Sequence, residues 1–212
     1  MNKDTKSTDA LIKALKDEDL YVRKSAIDAL GNHTDSKATD ALIKALDDDY
    51  DYVRLSATKA LGNHTDSKAT DALIKALDDD YDYVRKSAII ALGNRTDSKV
   101  TDALIKAALK DQDSVVRWYA AEALGNRTDS KVTDALIKAL EDKDAVVRWS
   151  AAIALGSHTD SKVTDALIKA LKDQDSDVRL SAAIALGKHK DSKAAYEAYM
   201  EAYGAFKKGE TK

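Results

Sequence analysis

Carboxylates, histidines, arginines and tryptophans are the side chains in this sequence with chemistry to offer, and they recur at a nearly fixed interval. Asp47, Asp49 and Asp51, and again Asp78, Asp80 and Asp82, have the alternate spacing that opens a calcium-binding loop. Such a loop also needs a glycine for its sharp turn and a distal bidentate glutamate; Tyr52 and Thr58 stand in those places, so calcium is not expected. His33, His64, His158 and His189 fall at one loop position, with Arg95 and Arg127 in the same place elsewhere. Ligands a repeat or more apart cannot converge on one metal at about 2 Å, so these read as structural loop residues, and no metal or other cofactor is expected. Asn32, Asn63, Asn94 and Asn126 open glycosylation sequons that, with no secretory signal pattern before them, read as polar loops. Arg23, Arg54, Arg85, Arg117, Arg148 and Arg179 suggest a phosphate ladder, but each copy also carries an acid, at Asp17, Asp48, Asp79, Asp111, Asp142 or Asp173. Catalysis needs a nucleophile, a base and an orienting group in one pocket, whereas repeats hold equivalent residues apart. No enzyme is expected.

The elements that position these residues follow from composition and period. Of 212 residues 44% are hydrophobic, with no proline, no cysteine, one phenylalanine and an abundance of Ala, Leu, Asp and Lys, which predicts an all-α chain. The absence of cysteine rules out disulfides and thiolate metal sites and suits a reducing compartment. The polar start, Met1 to Ser7, and the lack of any apolar run near the roughly 18 residues of a span predict a cytoplasmic protein with no membrane partner. A formal charge of -3 offers no broad positive field, so nucleic acid is not an expected partner.

Ala-Leu-Gly ends at Gly31, Gly62, Gly93, Gly125, Gly156 and Gly187, spaced 31, 31, 32, 31 and 31 residues, with Thr-Asp-Ala-Leu-Ile-Lys-Ala in step from Thr8 to Thr164. A fixed period of this length indicates stacked supersecondary units. In the second copy, Ala38, Leu42, Ala45 and Leu46 form the apolar stripe of a helix A capped by Asp35 or Ser36; Val53, Ala57, Ala60 and Leu61 form that of a helix B. A left-handed glycine at Gly62 is expected to end helix B. The copies span about 4–31, 35–62, 66–93, 97–125, 129–156 and 160–187, all in a single domain. A terminal helix over 191–207, carrying Tyr196, Tyr199, Met200, Tyr203 and Phe206, is expected to cap the stack. Lys106-Ala107-Ala108-Leu109 holds one alanine more than the other copies, predicting either a π-bulge in helix A or a longer turn.

The recurring acidic turn, Val-Arg, small residues and Ala-Leu-Gly resemble HEAT-like repeats of the phycobilisome-lyase-related type, over about residues 8–192. The resemblance is closer still to artificial alpha-repeat binding scaffolds built from that type, although Asn32-His33-Thr34 and Thr39-Asp40-Ala41 depart from their usual Ile-Gly and proline. It implies a right-handed α-solenoid, inter-repeat Asp–Arg pairing and helices B lining a concave face.

Six copies in one chain also show where the template varies. Between 36–62 and 67–93 only Leu55/Lys86, Thr58/Ile89 and Lys59/Ile90 differ, all on helix B. Over all copies, the residue after Val-Arg is Lys24, Leu55, Lys86, Trp118, Trp149 or Leu180, and the residue one turn on is Asp28, Lys59, Ile90, Glu122, Ile153 or Ile184. Tyr21, Tyr52, Tyr83, Val115, Val146 and Asp177 lie beside this stripe, and Tyr119 adjoins Trp118. The stripe is not the core stripe and is expected to face outward, apolar where water should be. Trp118, Trp149, Tyr119, Leu180, Ile153, Ile184, Ile90, Tyr52, Tyr83, Leu55, Val115, Val146 and Glu122 are therefore the expected partner-binding residues, and a folded protein domain or an amphipathic helix the expected partner. A monomer is expected, with the terminal helix as the alternative dimerisation surface. A structural repeat protein without an evolved partner, a HEAT-like DNA glycosylase using Trp118, Trp149 and Glu122, and a phycobilin lyase subunit are the competing functions.

Overall fold

The computed structural model describes residues 3–189 and 193–208, and among these it contains helices and no strand. The A helices are α1 (Lys3–Ala14), α3 (Ser36–Ala45), α5 (Ser67–Ala76), α7 (Ser98–Lys110), α9 (Ser130–Ala139) and α11 (Ser161–Ala170). The B helices are α2 (Leu20–Leu30), α4 (Asp51–Leu61), α6 (Asp82–Leu92), α8 (Ser114–Leu124), α10 (Ala145–Leu155) and α12 (Ser176–Lys188), and α13 (Lys193–Lys208) follows. The chain forms two compact units, Met1–Ala103 and Leu104–Lys212, which divide within α7.

In the first unit α2, α4 and α6 stack in sequence, each backed by its own A helix. Ile27, Leu42, Val53, Leu61, Leu73 and Ile89 are sealed from water between them. Each such side chain contributes about 1.5–3 kcal/mol of burial, which a lone helix pair could not collect. In the second unit α8, α10 and α12 stack likewise over Leu124, Leu136, Val147, Leu155 and Leu167, and α13 packs on α12 and α11. Tyr199 of α13 lies against Gly187; Tyr196 and Met200 are exposed. Residues 191 and 192, and the side chains of Tyr203 and Phe206, lie outside the described residues.

Two local expectations are corrected. The glycine after helix B is not left-handed: Gly31, Gly62, Gly125 and Gly156 have φ of -59°, -57°, -60° and -62° with small negative ψ. Their role is close approach, since a Cβ on Gly31 would stand 3.1 Å from the Ala60 Cβ, and one on Gly125 3.1 Å from the Ala154 Cβ, each on the next helix B. The extra alanine produces neither a π-bulge nor a longer turn. α7 continues as α-helix to Lys110, three residues beyond the ten-residue A helices, and the turn before α8 is short.

Polar devices hold each copy to the next. The Arg23 guanidinium donates from Nε and Nη2 to both Asp48 oxygens at 2.9 and 3.1 Å, and Arg54–Asp79, Arg117–Asp142 and Arg148–Asp173 repeat this fork at 2.7–2.9 Å. The remaining Nη1 donates to carbonyls of its own turn, as Arg148 does to Asp142 and Lys143. Asp48 and Asp79 therefore serve arginines and the turn amides of Tyr50 and Tyr81, a structural use of the acidic run. The loop histidines are structural too. His64 Nδ1 and His158 Nδ1 each share a 2.9 Å hydrogen bond with the buried threonine of the preceding helix A, Thr39 and Thr133. Arg95 replaces histidine by donating to the Thr70 hydroxyl at 2.5 Å and to the His64 carbonyl at 2.6 Å.

Candidate interaction faces on helix B

The variable stripe is built by the same helix in every copy, and its surroundings differ between the two units. In the second unit α8, α10 and α12 carry it. Leu180, Ile184 and Ile153 are 46%, 53% and 46% exposed, large apolar side chains left in water; Val115 and Glu122 are exposed as well. Trp149 and Ile153 lie one turn apart on α10, as do Leu180 and Ile184 on α12, so the four occupy equivalent positions on adjacent helices.

Trp118 and Trp149 are not bare, contrary to expectation. Their rings meet edge to face with centroids 6.2 Å apart, and Trp118 tilts against Tyr119 at 4.7 Å. Trp118 and Val146 also pack on the core cluster of Ala139, Val147 and Ala151, so the indoles are only partly accessible. Two large rings on neighbouring helices shield each other more cheaply than water can hydrate them. The tryptophans are thus the half-buried part of the stripe, and Ile153, Leu180 and Ile184 its open part.

In the first unit the stripe is mixed. Lys24 pairs with Asp28 at 2.7 Å, Leu55 is half-buried and Ile90 is exposed. Beside it stands an aromatic group: Tyr81 lies 6.1 Å from Tyr52 and 5.2 Å from Tyr83, centroid to centroid. Tyr50 faces the Arg23 guanidinium at 5.3 Å. Loss of hydration, the Tyr52 phenol and the Asp51 carboxylate push the Tyr81 phenol up to about 12. Tyr50 and Tyr81 were not among the expected site residues. The signal for them was present at the turn, where Asp19, Asp113, Asp144 and Asp175 occupy the equivalent place in the other copies. A groove of about 410 Å³ among α1 to α4 is lined by Ile12, Leu15, Arg23, Ile27 and Val53, on the core side of helix B.

Four overlapping segments, residues 2–62, 45–125, 70–156 and 133–198, match the family profile of the HEAT repeats. The chain belongs to the HEAT repeat family. Among solved structures, the complex of CpcE and CpcF of phycocyanin lyase from Nostoc sp. PCC7120 is similar at 30% identity and a TM-score of 0.58, over 90% of this chain and 79% of that one. An engineered protein is similar at 25% identity and a TM-score of 0.56, over 90% and 98% of the two chains. A second engineered protein, at 23% identity and a TM-score of 0.58 over 91% and 100%, shares the fold. No curated protein sequence matches the chain. These HEAT repeats thus form an all-helical solenoid, as their residues predicted, and no described helix is long and apolar enough to cross a membrane.

Proposed function

We propose that the chain is a non-enzymatic module that captures a protein partner on the variable face of its B helices, with Ile153, Leu180 and Ile184 as the contact surface beside the half-buried Trp118 and Trp149. One observation carries this reading: large aliphatic side chains stand in water at the positions where the copies differ, while the framework around them is held constant. A partner offering an apolar helix face would bury them, and burial of apolar surface contributes about 25 cal/mol per Å². Val115, Val146, Tyr119 and Glu122 would form the rim.

The test uses the immobilised full chain and a triple variant, Ile153→Ser, Leu180→Ser and Ile184→Ser. Amphipathic helical peptides and lysate proteins retained by the parent are expected to be lost by the triple variant, with its melting temperature nearly unchanged. Equal retention by both would refute the reading. Salt-sensitive retention of DNA by both would instead favour a glycosylase-like role.

A further inference from the structure

The turn before helix B is where the copies depart from their template against the interest of stability. Four copies place an aspartate at the N-cap, Asp19, Asp113, Asp144 and Asp175, and each carboxylate accepts a backbone N–H of the helix it opens. The second and third copies place Tyr50 and Tyr81 there, and neither side chain caps its helix. A second tyrosine stands two residues on, where the first copy has Tyr21, so the second and third copies read Tyr-Asp-Tyr. A local rule broken twice at neighbouring places, with no packing gain in the core, is the pattern expected where a surface serves recognition.

What the exchange creates is an exposed aromatic surface set among acids. Tyr50, Tyr52 and Tyr83 are 53%, 61% and 53% exposed, and Tyr81 bridges Tyr52 and Tyr83. Asp49 and Asp80 are exposed alongside, and the Asp51 charge is felt at the Tyr81 phenol. The protein already sets its own cations over these rings: the Arg23 guanidinium over Tyr50, and the Lys86 ammonium 6.0 Å from the Tyr83 centroid. A ring face is the negative end of a quadrupole, and a neighbouring carboxylate adds a full charge. A neutral apolar ligand would strip water from those carboxylates without replacing it, and an anionic one would be repelled. A guanidinium satisfies both features, stacking on the ring while pairing with the acid.

We propose that this tyrosine–aspartate face of the first unit is a docking surface for an arginine-rich segment of a partner protein. Tyr52, Tyr81 and Tyr83 supply the stacking faces, and Asp49, Asp51 and Asp80 the countercharge. The surface is independent of the isoleucine row of the second unit.

Fluorescence anisotropy of the full chain with a labelled peptide alternating arginine and glycine tests this, with the isosteric citrulline peptide as the neutral control. Saturable binding of the arginine peptide is expected, weakened about tenfold or more by citrulline or by the double variant Tyr52→Ala, Tyr83→Ala. Tyr81→Ser, which supplies a capping hydroxyl, is expected to raise the melting temperature while lowering the affinity, a combination that misfolding cannot produce. The triple serine variant of the isoleucine row should bind the arginine peptide as the parent does. Absence of saturable binding by the parent, equal affinity of the tyrosine variants and the parent, or loss of binding only in the triple serine variant would each overturn the proposal.

Discussion

A methyl group added at Gly125 would meet the Ala154 Cβ at 3.1 Å and its Cα at 3.3 Å, parts of a helix that cannot rotate away. Because Gly125 is right-handed, alanine there gains up to about 1 kcal/mol of helix propensity and loses about 1–3 kcal/mol to overpacking. Gly125→Ala is therefore expected to destabilise. Gly204→Ala, on α13 with nothing within 4 Å of the added atom, is expected to stabilise by up to about 1 kcal/mol. Denaturant melts of the two variants check the pair, and stabilisation by Gly125→Ala would count against the close-approach role. His64 and His158 offer a second test at this scale. Burial lowers both imidazoles below their ordinary 6.5; Asp66 and Asp35 oppose this at His64 and Arg95 assists, while His189 assists at His158. A lowered folded value means the unfolded chain binds protons first. Their contribution is complete above the unfolded pKa, shrinks as pH falls below it, and stops falling once the folded value is passed. Stability should thus decline as pH falls from 7 toward 5, and the double variant His64→Gln, His158→Gln should flatten that slope in urea melts.

Between neighbouring elements the Arg–Asp forks matter most. The Arg148 and Asp173 side chains are only 7% and 13% exposed. Arg148→Ala leaves a carboxylate half-sealed without its partner, which typically costs about 3–5 kcal/mol in a buried pair and somewhat less here. The inter-helix pairs Lys68–Asp40 and Lys162–Asp134 lie in open solvent, and Lys68→Ala is expected to leave the melting temperature unchanged. The Arg148 fork, the turn amide of Asp175 and the field of Arg179 hold the Asp173 carboxyl below its ordinary value despite burial. That stability is present above the unfolded pKa and is lost as pH falls toward the folded one, below the histidine window. The helix starts differ in the same units that differ in surface chemistry. An aspartate cap is worth about 0.5–2 kcal/mol, so α4 and α6 begin less securely than α8, α10 and α12.

For the molecule as a whole, glycine against alanine and arginine against aspartate join one copy to the next, while threonine against histidine or arginine ties a helix A to the loop after its own helix B. Stability is then a sum over neighbours, and a substitution should weaken its own unit most. The near balance of 34 basic and 37 acidic side chains leaves little net repulsion between molecules. With a sequence pI of about 5.8, solubility is expected to pass through a minimum near that pH, read by turbidity of concentrated samples at low salt. The exposed Ile153, Leu180 and Ile184 should deepen it, and the triple serine variant should relieve it.

Period, helix type, the core stripe of helix B and the placement of the variable residues were legible in the sequence, because each depends on local spacing repeated six times. Val53, Ala57, Ala60 and Leu61 are buried as their period requires, and Asp35 caps its helix as its side chain allows. The depth of the tryptophans, the reason for the glycines and the partners of the histidines were not legible. Each is decided by atoms about 25 to 31 residues away, on another element: the Trp149 edge against Trp118, the Ala154 methyl above Gly125, the Thr39 hydroxyl at His64. A one-dimensional pattern records which way a side chain points along its own helix, whereas its cover depends on how closely the next helix approaches, and only packing in three dimensions determines that distance.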